Sequence, residues 1–172
     1  MARTLPRPFP GFPAAALCCT LLLPLLTGCH GTQSSASLLA DAQQYRQKGE
    51  ARAAIIQLKN LLQQEPDNAA ARLLLGSIYI DTGEALSAEK ELRRAKSLGT
   101  AAQQVMPLLG KAWLMLGQAD RILAEIADDA AMPPAMLALR GDALLALDRR
   151  DEARTLYTRM LEAHPDQAEA LL

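Results

Sequence analysis

The apolar positions divide the chain into two parts. Near the N-terminus an uncharged, largely apolar run extends from Ala14 to Leu26. Further on, apolar residues are interspersed with charges of both signs, and leucine and alanine dominate, which favours helices over strands. The pattern predicts an all-α domain with helix pairs near residues 36–64, 69–98, 102–127 and 134–163.

A set of small and bulky residues recurs within these helix pairs. Four of them return 34 residues later in the same order, Tyr45, Gly49, Ala54 and Leu58 becoming Tyr79, Gly83, Ala88 and Leu92. The motif Leu75-Gly76 is echoed by Leu109-Gly110. A period of 34 residues resembles that of tetratricopeptide repeats, which stack helix pairs into an α-solenoid.

The repeat pattern also assigns packing roles. Gly76 and Ala88 are small enough to let two antiparallel helices approach closely, whereas Tyr79 and Leu92 are expected to fill the wider gaps. Trp113 stands where the two tyrosines stand in their units, so we expect it in the core. Arg72 replaces the leading tryptophan of the repeat pattern.

Irregularities mark the unit boundaries and the third unit. Glu65-Pro66-Asp67 and His164-Pro165-Asp166 are each expected to end one helix and to offer an aspartate as the next N-cap. The second helix of the third unit, roughly 118–127, is predicted to be short, and Ile122 stands where the repeat prefers a small residue. The fold expected is therefore about four helix pairs with a degenerate third pair.

The N-terminal run ends in the sequence Leu26-Thr27-Gly28-Cys29, which resembles a bacterial lipoprotein processing site. The run is shorter than the roughly 20 residues of a membrane span, and it contains Pro24. The resemblance implies cleavage between Gly28 and Cys29 and acylation of Cys29. His30 in the next position implies sorting to the outer membrane, facing the periplasm. The expected organisation is a signal peptide at 1–28, a lipidated tether at 29–37 and the repeat domain at 38–172.

Composition restricts the possible functions. The signal peptide would remove two of the 18 basic residues and none of the 19 acidic ones, so the remaining chain lacks the basic surplus typical of nucleic-acid binding. Two of the three cysteines, Cys18 and Cys19, lie in the signal peptide. The sequence contains no nucleophile, phosphate-loop or metal-ligand motif. We therefore expect no catalysis, no cofactor and no metal.

A more specific resemblance covers residues 29–100. Tyr45-Arg46-Gln47-Lys48-Gly49, Ala54-Ile55-Ile56-Gln57-Leu58 and Ser87-Ala88-Glu89-Lys90-Glu91-Leu92 resemble the PEP-CTERM system repeat lipoproteins of the PrsT type. That family accompanies exosortase-type sorting and exopolysaccharide loci, so the resemblance implies a scaffold in envelope export or assembly. An assembly factor or pilot lipoprotein for outer-membrane proteins, secretion pores or pili is the alternative.

In related repeat proteins the first helix of each pair lines a concave groove that holds peptides of partner proteins, here expected to be envelope proteins. By position, the candidate contacts in this sequence are Gln43, Arg46, Gln47, Ser77, Ile80, Asp81, Lys111, Leu114, Asp142 and Leu145. The charge run Glu89-Lys90-Glu91 with Arg93-Arg94 is interpreted as a solvated helix face, with Glu89 and Arg93 at a supporting i,i+4 spacing.

The C-terminal edge carries a separate expectation. Members of the resembling family are longer arrays, and a fifth first helix is predicted to begin at Gln167, so a fragment of a longer array is one interpretation of this sequence. Without a polar capping helix, an apolar edge that includes Leu156, Met160 and Leu161 is expected to be partly uncovered and to drive self-association.

Overall fold

The computed structural model describes residues 34–129 and 132–163, which form eight α-helices joined by short turns. The helices are arranged in four antiparallel pairs: α1 (Ser35–Gln47) with α2 (Ala51–Gln64), α3 (Ala69–Asp81) with α4 (Ala85–Ser97), α5 (Ala102–Met115) with α6 (Ala119–Glu125), and α7 (Pro134–Ala146) with α8 (Arg150–Ala163). The all-α solenoid predicted from the repeat is confirmed, and each predicted pair lies within about two residues of an observed one.

The first helix begins earlier than the predicted tether allows. The Ser34 side chain accepts a hydrogen bond of 3.2 Å from the backbone N–H of Ser37, which caps α1 at its N-terminus. Residues 35–37 are therefore helical, and the tether boundary at residue 37 is wrong by three residues. The signal peptide and the rest of the tether lie outside the described residues.

A second correction concerns the cap of α3. Asn68, and not Asp67, precedes the helix, and its side-chain Oδ1 accepts a hydrogen bond of 2.9 Å from the N–H of Ala71. Asp67 lies one residue too early for this role and instead forms an ion pair with Arg94 of α4. The corresponding prediction at His164-Pro165-Asp166 falls outside the described residues.

The turn within each helix pair depends on a left-handed backbone. Gly49, Gly83 and Gly117 adopt φ values of 76°, 82° and 68° at equivalent positions of the first three pairs. In the fourth pair the equivalent residue is Asp148, with φ of 59°. A side chain disfavours this conformation, so the fourth turn has the same geometry at a greater energetic cost.

Close packing between the paired helices follows the predicted roles. A Cβ atom placed on Gly76 would come within 2.6 Å of Cγ of Leu92, and one placed on Gly141 within 2.3 Å of Cζ of Tyr157. Leu92 and Ala88 are fully buried, and Tyr79 is 7% exposed. The glycines therefore provide the space that the large side chain of the partner helix occupies.

The third pair departs from this arrangement. Its second helix, α6, has only 7 residues, and Ile122 and Ile126 are both fully buried. The missing side chain of Gly110 is replaced by Leu139 from α7, the next pair, whose Cδ2 would lie 2.1 Å from an added Cβ. Arg140 of α7 then donates hydrogen bonds of 3.1 Å and 2.6 Å to the carbonyl oxygens of Leu123 and Ile126, which satisfies the end of the short helix.

The predicted apolar edge at the C-terminal pair is smaller than expected. Leu156 and Met160 are 3% and 4% exposed, because they pack with Leu137, Leu144 and Ala153 in a core cluster between α7 and α8. Only Leu161, at 37%, is exposed among the three residues named for that edge. The expectation that Leu156 and Met160 are uncovered is wrong.

Candidate partner-binding surface

Contacts between helices place the first helices of the pairs on one continuous surface. Among the described residues, α1 contacts α3, α3 contacts α5, and α5 contacts α7. The second helices contact first helices but not one another. A stack whose first helices touch while its second helices are spread apart is curved, with the first helices on the inside. This inner side of α1, α3, α5 and α7 is called the concave surface below.

At the first two helices the predicted contact residues come together through Arg46. Its guanidinium donates a hydrogen bond of 2.8 Å to Oγ of Ser77 and forms an ion pair of 3.0 Å with Asp81. Ser77 is 7% exposed, so its hydroxyl serves this interhelical contact more than a ligand. Gln43 and Gln47 of α1 are exposed beside it.

The third and fourth helices contribute a more apolar part of the surface. Leu145 is 50% exposed, and Ile80 and Leu114 are half-buried at the equivalent positions of their helices. Lys111 of α5 is exposed. Asp142, its equivalent on α7, accepts a hydrogen bond of 2.9 Å from Oη of Tyr157. Burial and this carboxylate together raise the pKa of Tyr157, so its hydroxyl remains a donor at neutral pH.

The charge run on α4 is not simply a solvated face. Glu89 forms the predicted pair with Arg93 at 3.4 Å, but its carboxylate is only 13% exposed. It also accepts a hydrogen bond of 3.2 Å from Nε1 of Trp113 and one of 2.6 Å from Arg121. Burial raises the pKa of Glu89, and these hydrogen bonds outweigh it, so the pKa lies below its ordinary value.

Trp113 and Arg72 also have structural positions. Trp113 is 2% exposed, which confirms it as a core residue, and the guanidinium of Arg121 lies 5.0 Å from the centre of its ring. Arg72 forms an ion pair with Glu91 and donates to the carbonyl oxygen of Pro66. The polar cluster of Glu89, Trp113 and Arg121 therefore connects α4, α5 and α6 and forms no open site.

Comparison with known proteins identifies the repeat. A family model described as a tetratricopeptide repeat matches residues 24–165, which is most of the chain. The chain belongs to the tetratricopeptide repeat family. Tetratricopeptide repeats typically form non-catalytic scaffolds that bind proteins, and the concave surface is the candidate site for such binding here.

Solved structures agree with this fold. A chain titled "Crystal structure of MamA protein" matches with 24% identity and a TM-score of 0.67, over 81% of this chain and 78% of that one. A second, titled "Crystal structure of MamA", matches with 24% identity and a TM-score of 0.67, over 79% of this chain and 81% of that one. No match was found among curated protein sequences. At this identity the similarity shows the fold alone.

The tetratricopeptide repeat also reveals concave residues that the sequence reasoning missed. Met115, 47% exposed, is the equivalent of Asp81 one repeat later, and that interval alone would have found it. Leu73 and Leu74 of α3 and Pro107 and Leu108 of α5 are half-buried and lie one turn before the predicted contacts on the same face. The concave surface is therefore more apolar than the predicted residue set indicated.

Other predicted sites are not on this surface. Gly28 and Cys29 lie outside the described residues. Within 34–129 and 132–163, no group of three or more His, Cys, Asp and Glu side chains is arranged to hold a metal ion. None of the helices in these ranges has the length and apolar character needed to cross a bilayer.

Proposed function

We propose that this tetratricopeptide-repeat protein is a lipid-anchored scaffold that holds an envelope protein of a Gram-negative bacterium on its concave surface. The observation that carries the binding role is the continuous layer formed by α1, α3, α5 and α7, which exposes Met115 and Leu145. Large exposed apolar side chains on a concave surface favour protein binding over a purely structural role. The proposal includes no catalytic step and no cofactor.

The anchor rests on the sequence at the N-terminus. The run Ala14–Leu26 followed by Thr27-Gly28-Cys29 supports cleavage before Cys29 and acylation of its sulfur and its amino group. Each buried methylene of an acyl chain contributes about 0.8 kcal/mol, so several chains hold a protein on a bilayer almost irreversibly. His30 after the cysteine supports the outer membrane as the destination, with the repeat domain in the periplasm.

The envelope system is proposed from the resemblance of residues 29–100 to PEP-CTERM system repeat lipoproteins. In that setting the scaffold would serve protein sorting or exopolysaccharide export. Genes for an exosortase and glycosyltransferases beside this gene would support the assignment. A neighbouring secretin or pilus cluster would instead support the role of a pilot or assembly factor.

The anchor is tested by comparing the full-length protein with its Cys29→Ser variant in a Gram-negative host. Metabolic labelling with an alkyne fatty acid should mark the wild type alone, and sucrose-gradient fractionation should place the wild type in the outer membrane. Cys18→Ser is the matched control, because it changes a cysteine before the cleavage point and should leave labelling intact. Absence of label on the wild type would contradict the anchor and leave the scaffold role to be judged separately.

A further inference from the structure

The apolar part of the concave surface follows the repeat. Ile80, Leu114 and Leu145 stand at equivalent positions of α3, α5 and α7, and they are called the apolar row below. Exposure is greatest at the last member, Leu145, where 50% of the residue is accessible, and Met115 beside Leu114 is 47% exposed. The half-buried Leu74 and Leu108 extend the same face by one turn. A ligand on this surface would therefore bury apolar side chains.

The charges on this surface are compensated within the protein. Arg46 and Asp81 form an ion pair of 3.0 Å with each other. Lys111 and Asp142 occupy equivalent positions on adjacent helices and have opposite signs, and Asp142 already accepts a hydrogen bond from Tyr157. The concave residues thus present no net charge to a ligand. A charged ligand would lose hydration without gaining a free partner, so an uncharged one is favoured.

The spacing of the row favours an extended ligand. Packed helix axes lie about 8–10 Å apart, which sets the interval between members of the row. A polyproline-type strand has three residues per turn and rises about 3.1 Å per residue, so every third side chain returns to the same face after about 9 Å. The exposed amides of Gln43 and Gln47 can hydrogen-bond to the peptide units of such a strand. A helical ligand satisfies its own backbone and would leave these amides unused.

We propose that the concave surface binds an uncharged, extended peptide segment whose apolar side chains recur at every third residue and lie along Ile80, Leu114 and Leu145. The segment is the recognition element of the partner in the scaffold role proposed above, on which this inference rests. Its affinity comes from apolar burial and backbone hydrogen bonds, and salt has little influence on it.

The test uses the full-length acylated protein in lipid nanodiscs and a fluorescein-labelled synthetic peptide. The peptide repeats leucine, proline and serine four times, which places leucine at every third position and carries no ionisable side chain. A scrambled peptide of the same composition, with its leucines adjacent, is the register control. Fluorescence anisotropy is measured in 50 mM and 500 mM NaCl, with empty nanodiscs as the blank.

The expected result is that the regular peptide binds at least about tenfold more tightly than the scrambled one, since each misplaced leucine loses most of its burial. Leu145→Ser should weaken binding about tenfold or more, whereas Leu86→Ser, which changes a residue that is 71% exposed on α4, should leave it unchanged. Affinities at the two salt concentrations should agree within about twofold. Circular dichroism of both variants checks that the helices are intact.

Equal binding of the two peptides, or a large loss of affinity in 500 mM NaCl, would overturn the proposal. So would tighter binding by an amphipathic helical peptide with leucines seven residues apart. Cross-linking of a cellular partner to the concave surface distinguishes the two proposals. A cross-linked partner combined with failure of the regular peptide rejects this ligand chemistry and retains the scaffold, whereas a partner cross-linked only elsewhere rejects both.

Discussion

At the scale of single residues, the four turns between paired helices show how one backbone requirement is met by different residues. Gly49, Gly83 and Gly117 adopt the left-handed conformation without a steric penalty, whereas Asp148 adopts it at φ of 59° with a side chain. Asp148 also forms an ion pair with Arg150, but both side chains are highly exposed, so this contact adds little. The fourth turn is therefore the most strained of the four.

This difference predicts the effect of substitution at the turn. Asp148→Gly should stabilise the domain by about 0.5–1 kcal/mol, because relief of the left-handed strain exceeds the added freedom of glycine in the unfolded chain. Asp148→Ala should destabilise it, because alanine retains the steric penalty and lacks the local hydrogen bonding of aspartate. Urea unfolding followed by circular dichroism measures both. An order of stability other than glycine, aspartate, alanine would contradict this account of the turn.

Residue types explain why some of these details could be predicted and others could not. Gly76 and Leu92 were predictable as a close-packed pair, because a fixed interval repeats their size relation in the sequence. The short hydrogen bond network of Glu89 was not predictable, because its partners Trp113 and Arg121 come from two other helices. Glu89 therefore looked like one more charge on a solvated helix.

At the scale of helices, the third pair is where the structure departs from the repeat. Because α6 is short, Leu139 of α7 fills the space beside Gly110, and Arg140 binds the last carbonyl oxygens of α6. The sequence showed that this pair is degenerate, since Ile122 replaces a small residue. It could not show how the gap is closed, because the compensating side chains belong to the following repeat.

The cluster that joins α4, α5 and α6 predicts a dependence of stability on pH. The folded state holds the pKa of Glu89 below its ordinary value of 4.5, so the unfolded state takes up this proton at a higher pH than the folded state. The stabilisation is therefore fully present above about pH 4.5 and is lost as the pH falls through the lower, folded-state pKa. Glu89→Gln should lower the free energy of unfolding at pH 7 by about 1–3 kcal/mol.

Urea titrations between about pH 3 and pH 7 measure this dependence for the wild type and for Glu89→Gln. The difference between the two should shrink toward the acidic end. The matched control Glu162→Gln changes an exposed carboxylate on α8 and should show no such trend. Trp113 is the single tryptophan of the chain, and its fluorescence should follow the loss of the hydrogen bond to Glu89. A difference in stability that does not change with pH would contradict the assignment.

At the scale of the whole molecule, the repeat determines both the fold and the place of the candidate site. The period of 34 residues predicted the helix pairs, and the contacts among first helices then create the concave surface. The identity of the surface was only partly predictable. Ser77 is buried beneath Arg46, and Met115 and Leu108 were missed, because exposure depends on how neighbouring repeats pack and not on the repeat position alone.

The central claim is that the concave surface binds a protein partner, and site-specific photo-cross-linking in living cells tests it most directly. A photoreactive p-benzoyl-phenylalanine replaces Leu145 on α7 or, as the matched control, Leu86 on α4, both of which are exposed leucines. The account predicts a cross-linked adduct of defined size from position 145 and none from position 86. An adduct from position 86 without one from position 145, or no adduct from position 145 in cells that express the anchored protein, would contradict it.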